Sequence, residues 1–285
     1  VGAFEVAGEL STPPSIESIS LSAPGLSAKG RLSLHPDGAL DAARFDRVRL
    51  RDWLDAPVLL SGRGKGVAPK VVVNGGSVDL RRIDLGKSSG EGGPLTVTLD
   101  ELRVTDTIVL RGMRGEFTNA GGLSGQFAAN LNGVAPISGT VVPQRGRSAV
   151  RILADDAGAV LSAAGLLQKG RGGTLDLSLS PISAPGSYDG LLKVRDITLE
   201  DAPAMASLLS AISIVGLLEQ MSGGGIPFTE VDANFRLTPQ QVILRSSSAT
   251  GASMGVSMDG VYDLNAKRMD MQGVISPLYL VNGIG

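Results

Sequence analysis

The stretch Thr174-Leu175-Asp176-Leu177-Ser178-Leu179 places a leucine at every second position and a polar side chain between. Side chains of a β-strand alternate between two faces. A period of 2 therefore gathers Leu175, Leu177 and Leu179 on one face and leaves Asp176 and Ser178 on the other. A helix, at about 3.6 residues per turn, would scatter both sets. Working outward, Val231-Asp232-Ala233-Asn234-Phe235-Arg236-Leu237 alternates in the same way, and Met254, Val256 and Met258 alternate with Ser253, Ser257 and Asp259. Arg268-Met269-Asp270-Met271-Gln272 follows in kind. Upstream, Leu95, Val97 and Leu99 alternate with Thr96, Thr98 and Asp100, and Phe45, Arg47 and Arg49 are expected to face away from Val48 and Leu50. Pro36-Asp37-Gly38, Asn74-Gly75-Gly76, Asn119-Ala120-Gly121-Gly122 and the glycine cluster at 170–173 separate these runs with turn chemistry. Short alternating strands joined by tight turns read as antiparallel meanders with one wet and one apolar face. The continuous Val/Ile strands of a doubly wound parallel sheet are missing.

Two segments break the alternation. In 156–168, Val160, Leu161, Ala164 and Leu167 recur at helical spacing, with Asp155 or Asp156 as N-cap and the 170–173 glycines as the expected stop. In 202–221, Met205, Leu208, Leu209, Ile212 and Val215 form an apolar stripe that packs on the sheet, behind Asp201 as cap and Pro203 in the first turn. That stretch falls short of the roughly 20 apolar residues that span a bilayer, so it reads as a buried amphipathic helix.

Composition narrows the chemistry. Hydrophobic residues make up 42% of the 285, too many for a disordered chain. Cys is absent and His35 is the one histidine, which excludes disulfides, thiolate metal sites and multi-histidine clusters. With 26 basic and 28 acidic residues there is no nucleic-acid footprint. Gly251-Ala252-Ser253-Met254-Gly255 fits the spacing of a nucleophile elbow, but a strand follows it and His35 lies far upstream in a turn. Gly62-Arg63-Gly64-Lys65-Gly66 reads as a solvated loop, since no helix follows it to hold a phosphate. Trp53 and Tyr262 are single aromatics better suited to a core. No catalytic residue, cofactor or metal site is expected. Aromatics are only 4%, so the apolar face is almost wholly aliphatic. Two helices are too few to cover so many strands. Either two sheet faces close on each other, or the face stays partly open and something apolar occupies it.

The second half adds an ordered set of signatures. It runs Asp155-Asp156-Ala157-Gly158-Ala159-Val160-Leu161, Arg171-Gly172-Gly173-Thr174-Leu175-Asp176-Leu177, Gly190-Leu191-Leu192-Lys193-Val194-Arg195-Asp196 and Asp201-Ala202-Pro203. Gly225-Ile226-Pro227-Phe228, Asp232-Ala233-Asn234-Phe235, Gly260-Val261-Tyr262-Asp263-Leu264 and Ser276-Pro277-Leu278-Tyr279 follow. Over roughly 150–285 this resembles the C-terminal region of AsmA-like proteins, in particular the YhdP-type branch of Gram-negative bacteria. The resemblance implies a mainly β fold: a long twisted antiparallel sheet curled into an apolar groove, with two short amphipathic helices. It implies a β-rich groove segment over 1–150 and the family's C-terminal region over 151–285. It also implies a periplasmic location as part of an inner-membrane-anchored protein, with phospholipid carried toward the outer membrane and no catalytic residues. Both ends of the chain read as cuts, so a transmembrane anchor is expected outside it.

A groove for acyl chains needs a continuous aliphatic floor. Leu175, Leu177, Leu179, Leu192, Val194, Phe235, Leu237, Val242, Leu244, Val256, Met258, Met269 and Met271 are expected to form it, with phospholipid or another acyl-chain lipid as ligand. The competing expectation is a periplasmic scaffold for assembly of outer-membrane components, holding an outer-membrane or periplasmic protein partner and carrying no lipid.

Overall fold

The computed structural model describes residues 2–9, 15–83, 92–119, 121–167, 169–200, 224–252, 254–266 and 268–277. Among these are nineteen strands, one α-helix and one 3-10 turn, with mostly antiparallel pairing. The chain divides into two compact units, Val1–Val134 with Ser138–Ser148, and Ala135–Ile137 with Ala149–Gly285.

In the first unit, β1 (Ala3–Glu9), β2 (Ser15–Ala23), β3 (Leu26–Leu34), β4 (Leu40–Leu50) and β5 (Leu54–Ser61) form an antiparallel meander. Strand β5 pairs next with β6 (Lys70–Asn74) and β7 (Ser77–Asp79). Both of these pair in parallel with β8 (Gly92–Arg103), the departure from the antiparallel expectation. A parallel pair needs a crossover of about a dozen residues, and the 3-10 turn Leu80–Arg82 with the chain leading to Gly92 supplies that length. Strands β9 (Val109–Asn119) and β10 (Ser124–Leu131) restore antiparallel pairing.

Residues opposite one another across neighbouring strands share a face, so register turns alternation into rows. One row of the first unit runs Leu26, Leu50, Leu54, Val78, Leu102, Leu110, Leu131. Another runs Leu32, Ala43, Leu60, Val71, Leu95, Phe117, Gly125. Phe45 corrects the sequence expectation. It lies opposite Gly30 and Val58, on the Val48 face, away from Arg47 and Arg49. The register slips between Phe45 and Val48, a β-bulge at Asp46 whose extra residue reverses the parity.

Strand β11 (Ala135–Gln144) follows. The second unit is built on β12 (Arg147–Ala154), a two-residue β13 (Gly170–Arg171), β14 (Thr174–Pro181), β15 (Tyr188–Leu199), β16 (Ile226–Leu237), β17 (Gln241–Thr250), β18 (Met254–Asp263) and β19 (Arg268–Pro277). Strands β12 and β14 to β19 pair antiparallel in succession, and β13 pairs with the end of β15.

The helix α1 (Ala157–Ala163) starts as expected at Asp156, whose carboxylate accepts from the Ala159 N–H at 2.9 Å. It is shorter than the expected 156–168. Gly165 takes φ +73, its N–H donates to Ser162 O, and the Leu166 N–H donates back to Leu161 O. That pair of bonds closes the helix a turn before the 170–173 glycines and leaves Leu167 outside it. The expected helix at 202–221, with its cap and stripe, lies outside the described residues.

Candidate functional site

Across the second unit, one row runs Ala154, Leu175, Val194, Val231, Ala249, Val256, Ile275. Two positions along the strands lie Ile152, Leu177, Leu192, Ala233, Ser247, Met258, Gly273. The next row is Val150, Leu179, Gly190, Phe235, Leu244, Gly260, Met271, and beyond it come Pro181, Tyr188, Leu237, Val242, Tyr262, Met269. The register therefore brings Leu175, Leu177, Leu179, Leu192, Val194, Phe235, Leu237, Val242, Leu244, Val256, Met258, Met269 and Met271 onto one face. Met205, Leu208, Leu209, Ile212 and Val215 lie outside the described residues.

The rows stay aligned through a second bulge. Asn234 faces Ser246 but Phe235 faces Leu244, so Arg245 is the extra residue. Its side chain turns to Asp189 at 3.3 Å. Without that bulge, the polar serines of 246 and 248 would enter the aliphatic rows and Ala249 would leave them.

The reverse face carries charge. Arg151 donates to both carboxylate oxygens of Asp176 (2.9 and 2.6 Å), and Arg236 does the same to Asp189 (2.8 and 3.0 Å). Arg195 pairs with Glu230 at 3.4 Å, and Gln272 donates to Asp259 at 2.9 Å. The hydrogen bonds from Arg151 and Arg236 hold the carboxyls of Asp176 and Asp189 below the usual carboxylate range. A sheet with one charged and one aliphatic face sorts its two environments by parity alone.

Burial varies along the aliphatic face. Beside α1 it is closed: Val194 and Ile197 on β15, and Phe228 opposite Ile197, are 2% exposed or less. Leu177, Leu179, Leu192, Phe235, Leu237, Val242, Leu244, Val256 and Met271 are half-buried, while Met258 is 43% and Met269 69% exposed. Sequence reasoning did not name Val150, Ile152, Ala154, Ala249 or Ile275, nor the first unit's leucine row, and it quoted Val231 only as part of an alternating run. Their signal was the same alternation, which assigns a face only after the neighbouring strand is known.

The other motifs resolve simply. In the serine motif, Met254 and Gly255 already belong to β18, so a strand and not a helix follows it, and Ser253 lies outside the described residues. His35 sits in the β3–β4 turn, donating its N–H to Ala39 O at 2.8 Å, with Nε2 3.7 Å from Asp41. In the first unit, a recess of about 300 Å³ opens beside Trp53, walled in part by Arg49, Asp55, Asp79, Glu101 and Arg103. Its charges engage one another or nearby arginines: Asp55 with Arg47 and Arg49, Glu101 with Arg103, Asp79 with Arg81. Among the described residues, no group of three His, Cys, Asp or Glu side chains could hold a metal ion, and no helix is long and apolar enough to cross a membrane. Compared with known protein families, curated proteins and solved structures, the chain matches none.

Proposed function

We propose that this chain binds acyl-chain lipid in an apolar β-groove and transfers phospholipid between the inner and outer membranes of a Gram-negative bacterium, without catalysis. The observation that carries the reading is the set of mainly apolar rows across β14 to β19, which run strand to strand, are only partly buried along much of their length, and become exposed at Met258, Met269 and Ile275. Lone exposed leucines are ordinary on a protein surface, but contiguous apolar surface of this kind marks a place for another apolar body. Each buried CH₂ contributes about 0.8 kcal/mol, so two acyl chains are held without a dedicated headgroup site. A floor mostly of Leu, Val and Met, in which the Ser247 hydroxyl donates to the Met258 carbonyl oxygen at 2.8 Å, offers few fixed polar contacts to trap a lipid at one position, and methionine adapts to whatever passes. The AsmA-like signatures in 150–285 support the same reading and supply its setting: the periplasm, as part of an inner-membrane-anchored protein.

The test is mass spectrometry of phospholipid co-purified with the chain from bacterial membranes. Bound phospholipid is expected in the wild type and its loss in Leu177→Asp and Met258→Asp. Lipid-free wild type, or both variants loaded equally, contradicts the proposal. One observation favours the scaffold reading. Strand β19, paired antiparallel with β18, exposes Val274 (62%) and Ile275 (41%) on opposite faces. Exposed apolar side chains on both faces of a strand offer a protein partner a place to pack. A lipid-free chain that captures a periplasmic protein, and loses it in Val274→Lys, would favour that second reading.

A further inference from the structure

The bulky side chains on the aliphatic face are laid down over glycines. Phe235 stands opposite Gly190 across β15 and β16. The three atoms nearest a β-carbon at Gly190 are all ring atoms of Phe235, with Cε1 at 2.6 Å. The ring therefore reaches across the neighbouring strand and occupies the space a side chain there would fill. Met271 likewise lies on Gly260, its Sδ 2.9 Å from that glycine's β-carbon position, and Met258 on Gly273, its Cγ at 2.8 Å. The first unit repeats the device independently, where Phe117 covers Gly115 (Cε2 at 2.5 Å) and Gly125 (Cδ1 at 2.6 Å). A glycine inside a strand weakens it, so glycines recurring beneath large side chains point to a packing reason.

We infer that Gly190 is a positioning residue that keeps the Phe235 ring flat on the sheet and so keeps the groove clear for acyl chains. This rests on the lipid-binding reading above. A methyl at Gly190 collides with the ring and with no backbone among those nearest atoms, so the ring must lift off the sheet. A lifted ring stands in the path between Leu179 and Leu244, its row neighbours toward β14 and β17. Gly125 is a poorer probe, because a methyl there also meets the Glu116 carbonyl oxygen.

The experiment compares co-purified phospholipid per chain in wild type, Gly190→Ala, Phe235→Ala and the double variant, with thermal unfolding recorded for each. Gly190→Ala is expected to lose most of its lipid; Phe235→Ala, which removes one contact of the floor, is expected to lose less, and the double variant to load like Phe235→Ala, since the added methyl then meets no ring. Should Gly190→Ala not fold, the double variant decides: folding and loading like Phe235→Ala supports the inference, and failure to fold or lower loading than Phe235→Ala overturns it. A loaded wild type with an equally loaded Gly190→Ala, a Phe235→Ala as empty as Gly190→Ala, or a double variant emptier than Phe235→Ala overturns this inference alone. Lipid-free wild type overturns the parent reading and this one with it.

Discussion

Asp55 shows how the wet face is organised one residue at a time. It sits on β5 between Arg47 and Arg49, and the Arg47 guanidinium holds its carboxyl down to about 2 from an ordinary 3.8. Asp79, hydrogen-bonded by Arg81, is also lowered to about 2. A carboxyl depressed on folding stabilises the fold fully above its ordinary value and loses that contribution as pH falls through the folded one. Stability to urea is therefore expected to drop between about pH 4 and pH 2, with a smaller drop in Asp55→Asn. These groups are partly exposed, so salt should shrink the effect. An unchanged acid profile in that variant would contradict the assignment. On the aliphatic face, Leu175 is 3% exposed and Met269 69%. Leu175→Ala is expected to cost about 2–5 kcal/mol, whereas Met269→Ala should stay within about 0.5 kcal/mol, both read from denaturant unfolding.

At the scale of elements, parity explains both what the sequence disclosed and what it hid. The alternation in β14, β16, β18 and β19 could be read directly, because one wet and one apolar face leave a period of 2 in composition. The bulges at Asp46 and Arg245 could not, since an ordinary polar residue in a strand does not announce that it is unpaired. Phe45 was misassigned for that reason. The parallel pairing of β6 and β7 with β8 was hidden too, being a property of the crossover and not of the strands. The start of α1 was legible from Asp156, but its stop at Gly165 lost out to the larger glycine cluster at 170–173. Asp156→Ala is expected to cost about 1 kcal/mol, measured as a shift in the unfolding midpoint. No shift would mean that α1 is held by packing of Ala157 and Val160 alone, both of which are buried.

For the molecule as a whole, the argument concerns which face meets lipid. Both units carry aliphatic rows on one face and paired charges on the other. Hydrocarbon gains nothing from the charged face and gains transfer free energy on the aliphatic one. The most direct measurement is photocrosslinking of the purified chain to a phospholipid with a diazirine in its acyl chain, mapped by peptide mass spectrometry. The account predicts labels on Leu179, Leu244, Met258 and Met271. Labels concentrated on Asp176, Lys193 and Asp232, or none in the β14–β19 rows, would contradict it.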